Sequence, residues 1–277
     1  MRYEDYYELS EKHGWRATDL DWGALRREQD AGLVSDFDRR ALLGTTVIEH
    51  GVPHYGEVWT MVEHLREHWE LWQFTTLWTG EEHRHSFVLK KACDALGFTD
   101  EIAEDLKKVT EFPFAATQKA SCPTDCYRSV PGMLAYTVIQ ELATHKFYTL
   151  AAKETKSPFL KRMFQLIGGD EMRHHVFYRE SLSEKHKTAE DREWYSDQVY
   201  QATRAFRMPH LIYDVQMNFF ERGEWSIGTL GKVAFKAQLA RCFAFDARLL
   251  GRLLGDGAAT ELEKEGGRVP VPMAKTG

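Results

Sequence analysis

The sequence predicts an all-α fold organised around a four-helix bundle. Long segments carry apolar residues at helical spacing, short connectors separate them, and few stretches alternate as strands do. In addition, two almost identical clusters of acids and imidazoles recur 89 positions apart, at Glu81-Glu82-His83-Arg84-His85 and Asp170-Glu171-Met172-Arg173-His174.

The helical periodicity covers residues 36 to 67, 69 to 96, 99 to 111, 131 to 156, 157 to 186, 189 to 207 and 229 to 254. Gly97 is placed to stop the second of these, since glycine readily takes the left-handed conformation that ends a helix. Ser157-Pro158 reads as a cap followed by a first-turn proline. Pro53 breaks the pattern of the first segment. Inside a helix it removes the hydrogen bond to the carbonyl of Glu49, so a kink, a bulge or a boundary between two helices is expected there, beside Gly51. Residues 1 to 35 are polar with scattered aromatics and read as a partly ordered N-terminal arm; residues 255 to 277, rich in Gly, Ala and Pro, read as a frayed tail. No shift in composition marks a boundary, so residues 1 to 277 read as a single domain.

Composition removes several functional classes. A net charge of -6 with basic residues scattered among acidic ones offers no footprint for nucleic acid. No apolar run approaches the roughly 18 residues that span a bilayer, and the N-terminus lacks a signal-peptide core, so a soluble cytoplasmic protein is expected. The four cysteines (Cys93, Cys122, Cys126 and Cys242) do not make a secreted framework. Cys122 and Cys126 have no matching second pair for zinc and read as free thiols, with a local disulfide as the alternative.

Residues three apart on a helix share a face, so Glu82 with His85, and Glu171 with His174, each present a carboxylate and an imidazole to one point. With 26 Glu and 12 His in 277 residues, chance alone gives about one such pair. The repeated acid-Glu-x-Arg-His context makes coincidence a poor account. Each pair also follows a lone glutamate in an apolar segment: Glu49 lies 33 positions before Glu82, and Glu141 lies 30 before Glu171. Two helix pairs, each contributing Glu and then Glu-x-x-His, fold into a bundle with four carboxylates and two histidines inside. Six ligands of this kind suit two metal ions, because carboxylates can bridge. Burying four carboxylates without cations would be prohibitive. A nitrogen and oxygen donor set without thiolate favours iron or manganese over a structural zinc site.

These motifs resemble the soluble acyl-acyl-carrier-protein desaturase family, within the ferritin-like superfamily of dinuclear iron carboxylate proteins. The family's W-T-A-E-E-x-R-H is matched by Trp78 to His85, its D-E-x-R-H by Asp170 to His174, and its Q-E-R-A-T by Gln140 to Thr144. An early E-x-x-x-P-x-Y corresponds to Glu49, Pro53 and Tyr55, and a later M-P-x-H-L-x-Y-D to Met208 through Asp214, one residue shorter. The resemblance runs from about residue 36 to about 220. It implies a ferritin-like bundle whose metal ligands are Glu49, Glu82, His85, Glu141, Glu171 and His174, with Glu82 and Glu171 bridging. It further implies that Thr144 handles protons during dioxygen activation, and that two iron ions and dioxygen remove hydrogens from adjacent methylenes of an acyl chain. Asp170 reads as an acceptor that fixes the tautomer of a ligand imidazole.

The implied partners are an acyl carrier protein (or coenzyme A) thioester as substrate, a ferredoxin-type electron donor and a second copy of the chain in a homodimer. A carrier protein is acidic and would meet basic residues; candidates are Arg26, Arg27, Arg39 and Arg40, and Lys161, Arg162, Arg204 and Arg207. Trp69, Trp72, Phe74, Trp78, Phe147 and Tyr148 are candidates to line an apolar tunnel or simply to fill the core. His50, His83 and Gly168-Gly169 depart from the family pattern and are expected to alter the surroundings of the metals and to leave more room between helices. A dinuclear-iron hydroxylase or oxidase is therefore the alternative, and a non-enzymatic iron-handling protein a more distant one.

Overall fold

The structure is a computed structural model; it describes residues 1–111, 126–206 and 240–254, and the following concerns those residues. The fold is an all-α ferritin-like bundle. The α-helices are α1 (Tyr3–His13), α2 (Trp22–Asp30), α3 (Asp36–Glu49), α4 (Val52–Thr60), α5 (Trp69–Leu96), α6 (Ala103–Glu111), α7 (Val130–Glu154), α8 (Pro158–Thr188), α9 (Arg192–Ala205) and α10 (Ala247–Leu254), with short 3₁₀ turns between some of them. No strand occurs among the described residues.

Helices α3, α5, α7 and α8 form the bundle, and their ends follow local chemistry. Ser35 caps α3 in a reciprocal box with Asp38, and Ser129 and Ser157 cap α7 and α8 ahead of Pro131 and Pro158. Gly97 ends α5 in the left-handed conformation (φ 76°). Ten consecutive residues, Val130 to Ile139, are buried in α7, which marks it as the central helix rather than an amphipathic one.

The segment expected as one helix from 36 to 67 is divided. Helix α3 ends at Glu49, and Pro53 falls in the first turn of α4, where its missing N–H costs nothing. The following chain turns at His64, a non-glycine residue with φ 62°. Residues 1 to 35, read as a partly ordered arm, are mostly helical, and Tyr6, Ser10, Trp15 and Leu25 are buried. The Met208 to Asp214 motif, residues 255 to 277, Arg207 and the pairing of Cys122 with Cys126 lie outside the described residues. Cys93 and Cys242 are buried free thiols.

The apolar core falls into two clusters. One gathers Leu71, Phe74, Trp78, Leu134, Val138, Ile139, Phe177 and Tyr178. The other gathers Val88, Leu89, Ala92, Tyr148, Ala151, Phe164 and Ile167. On α5, α7 and α8 the intervening turns hold residues 81–85, 141–144 and 170–174, so a polar layer separates two dry compartments.

Gly168 and Gly169 line a cavity of about 420 Å³ between α7 and α8, but the two differ in how closely α7 approaches them. A Cβ on Gly168 would lie 3.1 Å from the Cβ of Tyr148, whereas the nearest such atom to Gly169 is Arg173 Nη1 at 3.8 Å. Gly168→Ala is therefore expected to cost about 1–3 kcal/mol through overpacking of α7 against α8. Gly169→Ala should gain up to about 1 kcal/mol from helix propensity. Denaturant midpoints of the two variants check this, and equal shifts would contradict the close approach.

Candidate metal centre

The bundle brings all six predicted ligands together. Glu49 comes from the last turn of α3, Glu82 and His85 from α5, Glu141 from α7, and Glu171 and His174 from α8, and all six are buried. They form two groups that share Glu82 and Glu171. In one, ligand atoms of Glu49, Glu82, His85 and Glu171 lie within 4.8 Å of one another; in the other, those of Glu82, Glu141, Glu171 and His174 do.

Both histidines present Nδ1 to the carboxylates. His85 Nδ1 is 3.3 Å from Glu82 Oε2 and 3.4 Å from Glu171 Oε1, and His174 Nδ1 is 3.0 Å from Glu82 Oε1 and 3.3 Å from Glu141 Oε2. Several of these approaches are close without being aligned hydrogen bonds. Glu82 Oε1, Glu171 Oε1 and His85 Nδ1 are buried with no hydrogen-bond partner. Orphaned buried polar atoms of this kind are costly unless something else occupies the space between them. Four carboxylates supply four negative charges, which two divalent cations would balance, and the oxygen and imidazole donors are those that suit iron or manganese. The residues therefore fit a dinuclear centre.

Without cations the charges are contained by protons. Burial raises Glu49 well above the ordinary carboxylate range, reinforced by the charges of Glu82 and Glu171, and burial with the charge of Glu171 raises Glu141. Burial acts to lower His85 and His174, but the surrounding acids overcome it and hold both imidazoles well above their usual value.

The outer nitrogens are held just as firmly. His85 Nε2 donates to Asp170 Oδ2 at 2.9 Å, as expected for Asp170. Asp170 also accepts from Trp15 Nε1 at 2.9 Å, from Arg84 Nη2 at 3.1 Å and from Arg173. Burial would raise its pKa, yet the bond and charge of His85 and the charge of Arg173 bring it below the ordinary range. His174 Nε2 donates to Glu81 Oε2 at 3.0 Å, the counterpart on the other repeat. Thus the acid that opens each repeat holds the histidine that closes the other one. Glu81 was not among the predicted site residues, although the repeated acid-Glu-x-Arg-His pattern contained the signal. Trp78, which donates to Glu141 at 3.2 Å, and Tyr148, which donates to Glu49 at 2.9 Å, were considered only as tunnel lining or core.

Thr144 Oγ1 lies 3.1 Å from Glu171 Oε2, and also 3.0 Å from Gln140 O and 3.1 Å from Glu141 O. One hydroxyl proton serves one of these at a time, so Thr144 can bond either the helix backbone or the Glu171 carboxylate. His50 and His83 do not alter the surroundings of the centre as expected: His50 Nε2 pairs with Thr110 Oγ1 at 2.9 Å, and His83 is exposed on the outer face of α5.

The fold and this cluster define a ferritin-like helix bundle with a buried carboxylate and histidine centre. A family model described as fatty acid desaturase matches residues 18–231, more than half of the chain, and the chain belongs to that family. Two curated relatives from Mycobacterium tuberculosis, of strains CDC 1551 / Oshkosh and ATCC 25618 / H37Rv, share 25% identity over 159 residues. Each is named "Putative acyl-[acyl-carrier-protein] desaturase DesA1", and the match covers 55% of this chain and 45% of the relative, so the chain aligns with less than half of their length.

Removing the charge that holds His85 tests the buried network. Asp170→Asn leaves Arg84 and Arg173 facing a neutral amide and is expected to cost about 3–5 kcal/mol. A loss below about 1 kcal/mol in chemical denaturation, the size of an exposed ion pair, would contradict it.

Proposed function

We propose that the chain is an oxygen-dependent desaturase that introduces a double bond into an acyl chain presented as a thioester, on acyl carrier protein or coenzyme A. The observation that carries this is the pair of ligand groups sharing Glu82 and Glu171, set in a chain of the fatty acid desaturase family. Glu49, Glu82, His85 and Glu171 would hold one iron ion, and Glu82, Glu141, Glu171 and His174 the other, with manganese a possible substitute. Bound iron would supply the capacity to use dioxygen against an unactivated C–H bond.

The protein's own part is to place and isolate. Asp170 and Glu81 keep hydrogen on Nε2 of His85 and His174, leaving Nδ1 as the ligand atom. The apolar clusters on both sides of the polar layer exclude water. Thr144 Oγ1 can pass a proton to Glu171 Oε2. For the entry of the acyl chain we assign a cleft of about 590 Å³ whose walls include Trp59, Val62, Leu65, Trp72, Thr75 and Thr79, with His64, Arg66 and Glu67 as its polar part. Trp59 stacks on Tyr178 at 5.8 Å, and Tyr178 packs edge-on to Trp78 at 6.4 Å, so two rings separate the cleft from the Glu141 donor. Of the aromatics considered for a tunnel, Trp72 lines this cleft, Phe74 is core stacked on Phe177, and Trp69 is 61% exposed.

A ferredoxin-type donor and a homodimeric cytoplasmic enzyme complete the proposal. Among the described residues no helix is long and apolar enough to cross a membrane. Of the basic residues considered for a carrier protein, Arg27 pairs with Asp21, Arg39 with Asp36 and Glu101, and Arg40 with Asp36, while Arg26 donates to Ala95 O. Exposed pairs of this kind are weak, so this group and the Lys161 and Arg162 side of α8 are both docking candidates. His50 and His83 do not touch the centre, whereas Gly168 and Gly169 line a cavity between α7 and α8, and a hydroxylase stays the alternative reading.

Purified, iron-supplied protein should contain two irons per chain, and Glu141→Ala should lose at least one. A reconstituted assay with acyl thioesters should yield a product lighter by two hydrogens; a product heavier by one oxygen would establish the hydroxylase instead. Loading also has a signature in protons. Because Glu49, Glu141, His85 and His174 hold theirs in the empty protein, metal binding should release protons into weakly buffered solution. Affinity should accordingly weaken as pH falls. Uptake without proton release would contradict the ligand assignment.

A further inference from the structure

The two ligand histidines are secured differently. Asp170, behind His85, accepts from Arg84, Arg173 and Trp15. Both arginines belong to the repeated motif. Glu81, behind His174, sits 3.7 Å from Arg84, and its close partners are instead two hydroxyls of α1. Tyr6 Oη donates to Glu81 Oε2 at 2.6 Å, and Ser10 Oγ donates to Glu81 Oε1 at 2.6 Å. Tyr6 is fully buried, packed against Phe74 and Phe177 at ring distances of 4.7 and 5.5 Å, and Ser10 is also buried. Both residues precede position 18, where the match to the family model begins.

We infer that α1 is a positioning element for one half of the metal centre: Tyr6 and Ser10 orient Glu81, which orients His174, and so set the affinity of the metal position that contains His174. The physical reason is that Glu81 has two oxygens and three close donors. With the hydroxyls gone, its carboxylate is free to turn away from His174 Nε2 toward Arg84, and the imidazole loses the acceptor that aims Nδ1. The His85 position keeps two arginines on Asp170 and does not depend on α1 to the same degree. This inference rests on the dinuclear assignment above.

The test is a titration of metal-free protein with Co(II), followed by visible absorption and by metal content after gel filtration. Wild-type protein should bind two ions. The double variant Tyr6→Phe with Ser10→Ala keeps the Tyr6 ring in its packing, and it should retain one ion near wild-type affinity while the second weakens by about 10- to 100-fold, the usual effect of removing an outer hydrogen-bond partner of a ligand. Ser10→Thr, which preserves the hydroxyl, should restore most of the second affinity to a Ser10→Ala protein. In a His174→Ala background the double substitution should change nothing further, whereas in a His85→Ala background it should still weaken the remaining ion. Two equally tight ions in the double variant, or an equal loss at both positions, would overturn the inference. Wild-type protein that fails to bind two ions would instead overturn the dinuclear assignment itself. An unchanged circular dichroism spectrum of the double variant separates loss of positioning from loss of fold.

Discussion

The constraint on which the rest of the structure depends is the burial of four carboxylates in the middle of a helix bundle. Glu49, Glu82, Glu141 and Glu171 are each nearly inaccessible to water, and like charges at such proximity repel strongly in a medium of low dielectric. Only protons or cations relieve this, and the arrangement of neighbours fits cations. Orphaned oxygens and an orphaned Nδ1 face inward, while every outer nitrogen has an ionised acceptor. A site evolved to stay protonated would have satisfied its inner atoms instead.

Long helices are the means of meeting that constraint. Helices α5 and α8 run 28 and 31 residues, enough to carry an apolar cluster on each side of the polar layer. The hydrophobic burial of two clusters offsets the cost of the layer between them. The break between α3 and α4 serves the same end. Glu49 occupies the last residue of α3, where Tyr148 from α7 meets it, and Pro53 ensures that the helix does not continue.

The two repeats are related by a reciprocal exchange, Glu81 with His174 and Asp170 with His85, yet they are not equivalent. Asp170 is enclosed by arginines and an indole, Glu81 by hydroxyls of a helix outside the bundle. A short aspartate demands that its donors come close, and a longer glutamate reaches to donors on α1. The asymmetry gives the two carboxylate and histidine groups different surroundings although their residue types are nearly the same.

Much of this was legible in the sequence. The all-α class, the extent of Trp69–Leu96, the caps at Ser157 and Gly97, and the convergence of two Glu and two Glu-x-x-His elements follow from spacing, because helical geometry places residues three and four apart on one face. That Asp170 serves a ligand imidazole was legible from its place beside Glu171, whereas its pairing with His85 of the other repeat came only from the packing of α5 against α8. Glu81 was legible in principle, as the equivalent acid of the first repeat. What periodicity could not reveal is contact between segments distant in the chain. Tyr6, Ser10 and Trp15 stand in a polar stretch whose own pattern is weak, and only the packing of α1 against α5, and of Trp15 beyond it against Asp170 of α8, makes them buried partners of the centre. Similarly, two adjacent glycines look alike in sequence, and only the approach of Tyr148 makes a side chain at Gly168 tighter than one at Gly169. The sequence by itself determined the helices and the chemistry of the ligands, since both depend on local spacing and residue type. The tertiary structure decided which outer groups hold those ligands in place, since hydrogen bonds between remote helices depend on how their surfaces meet.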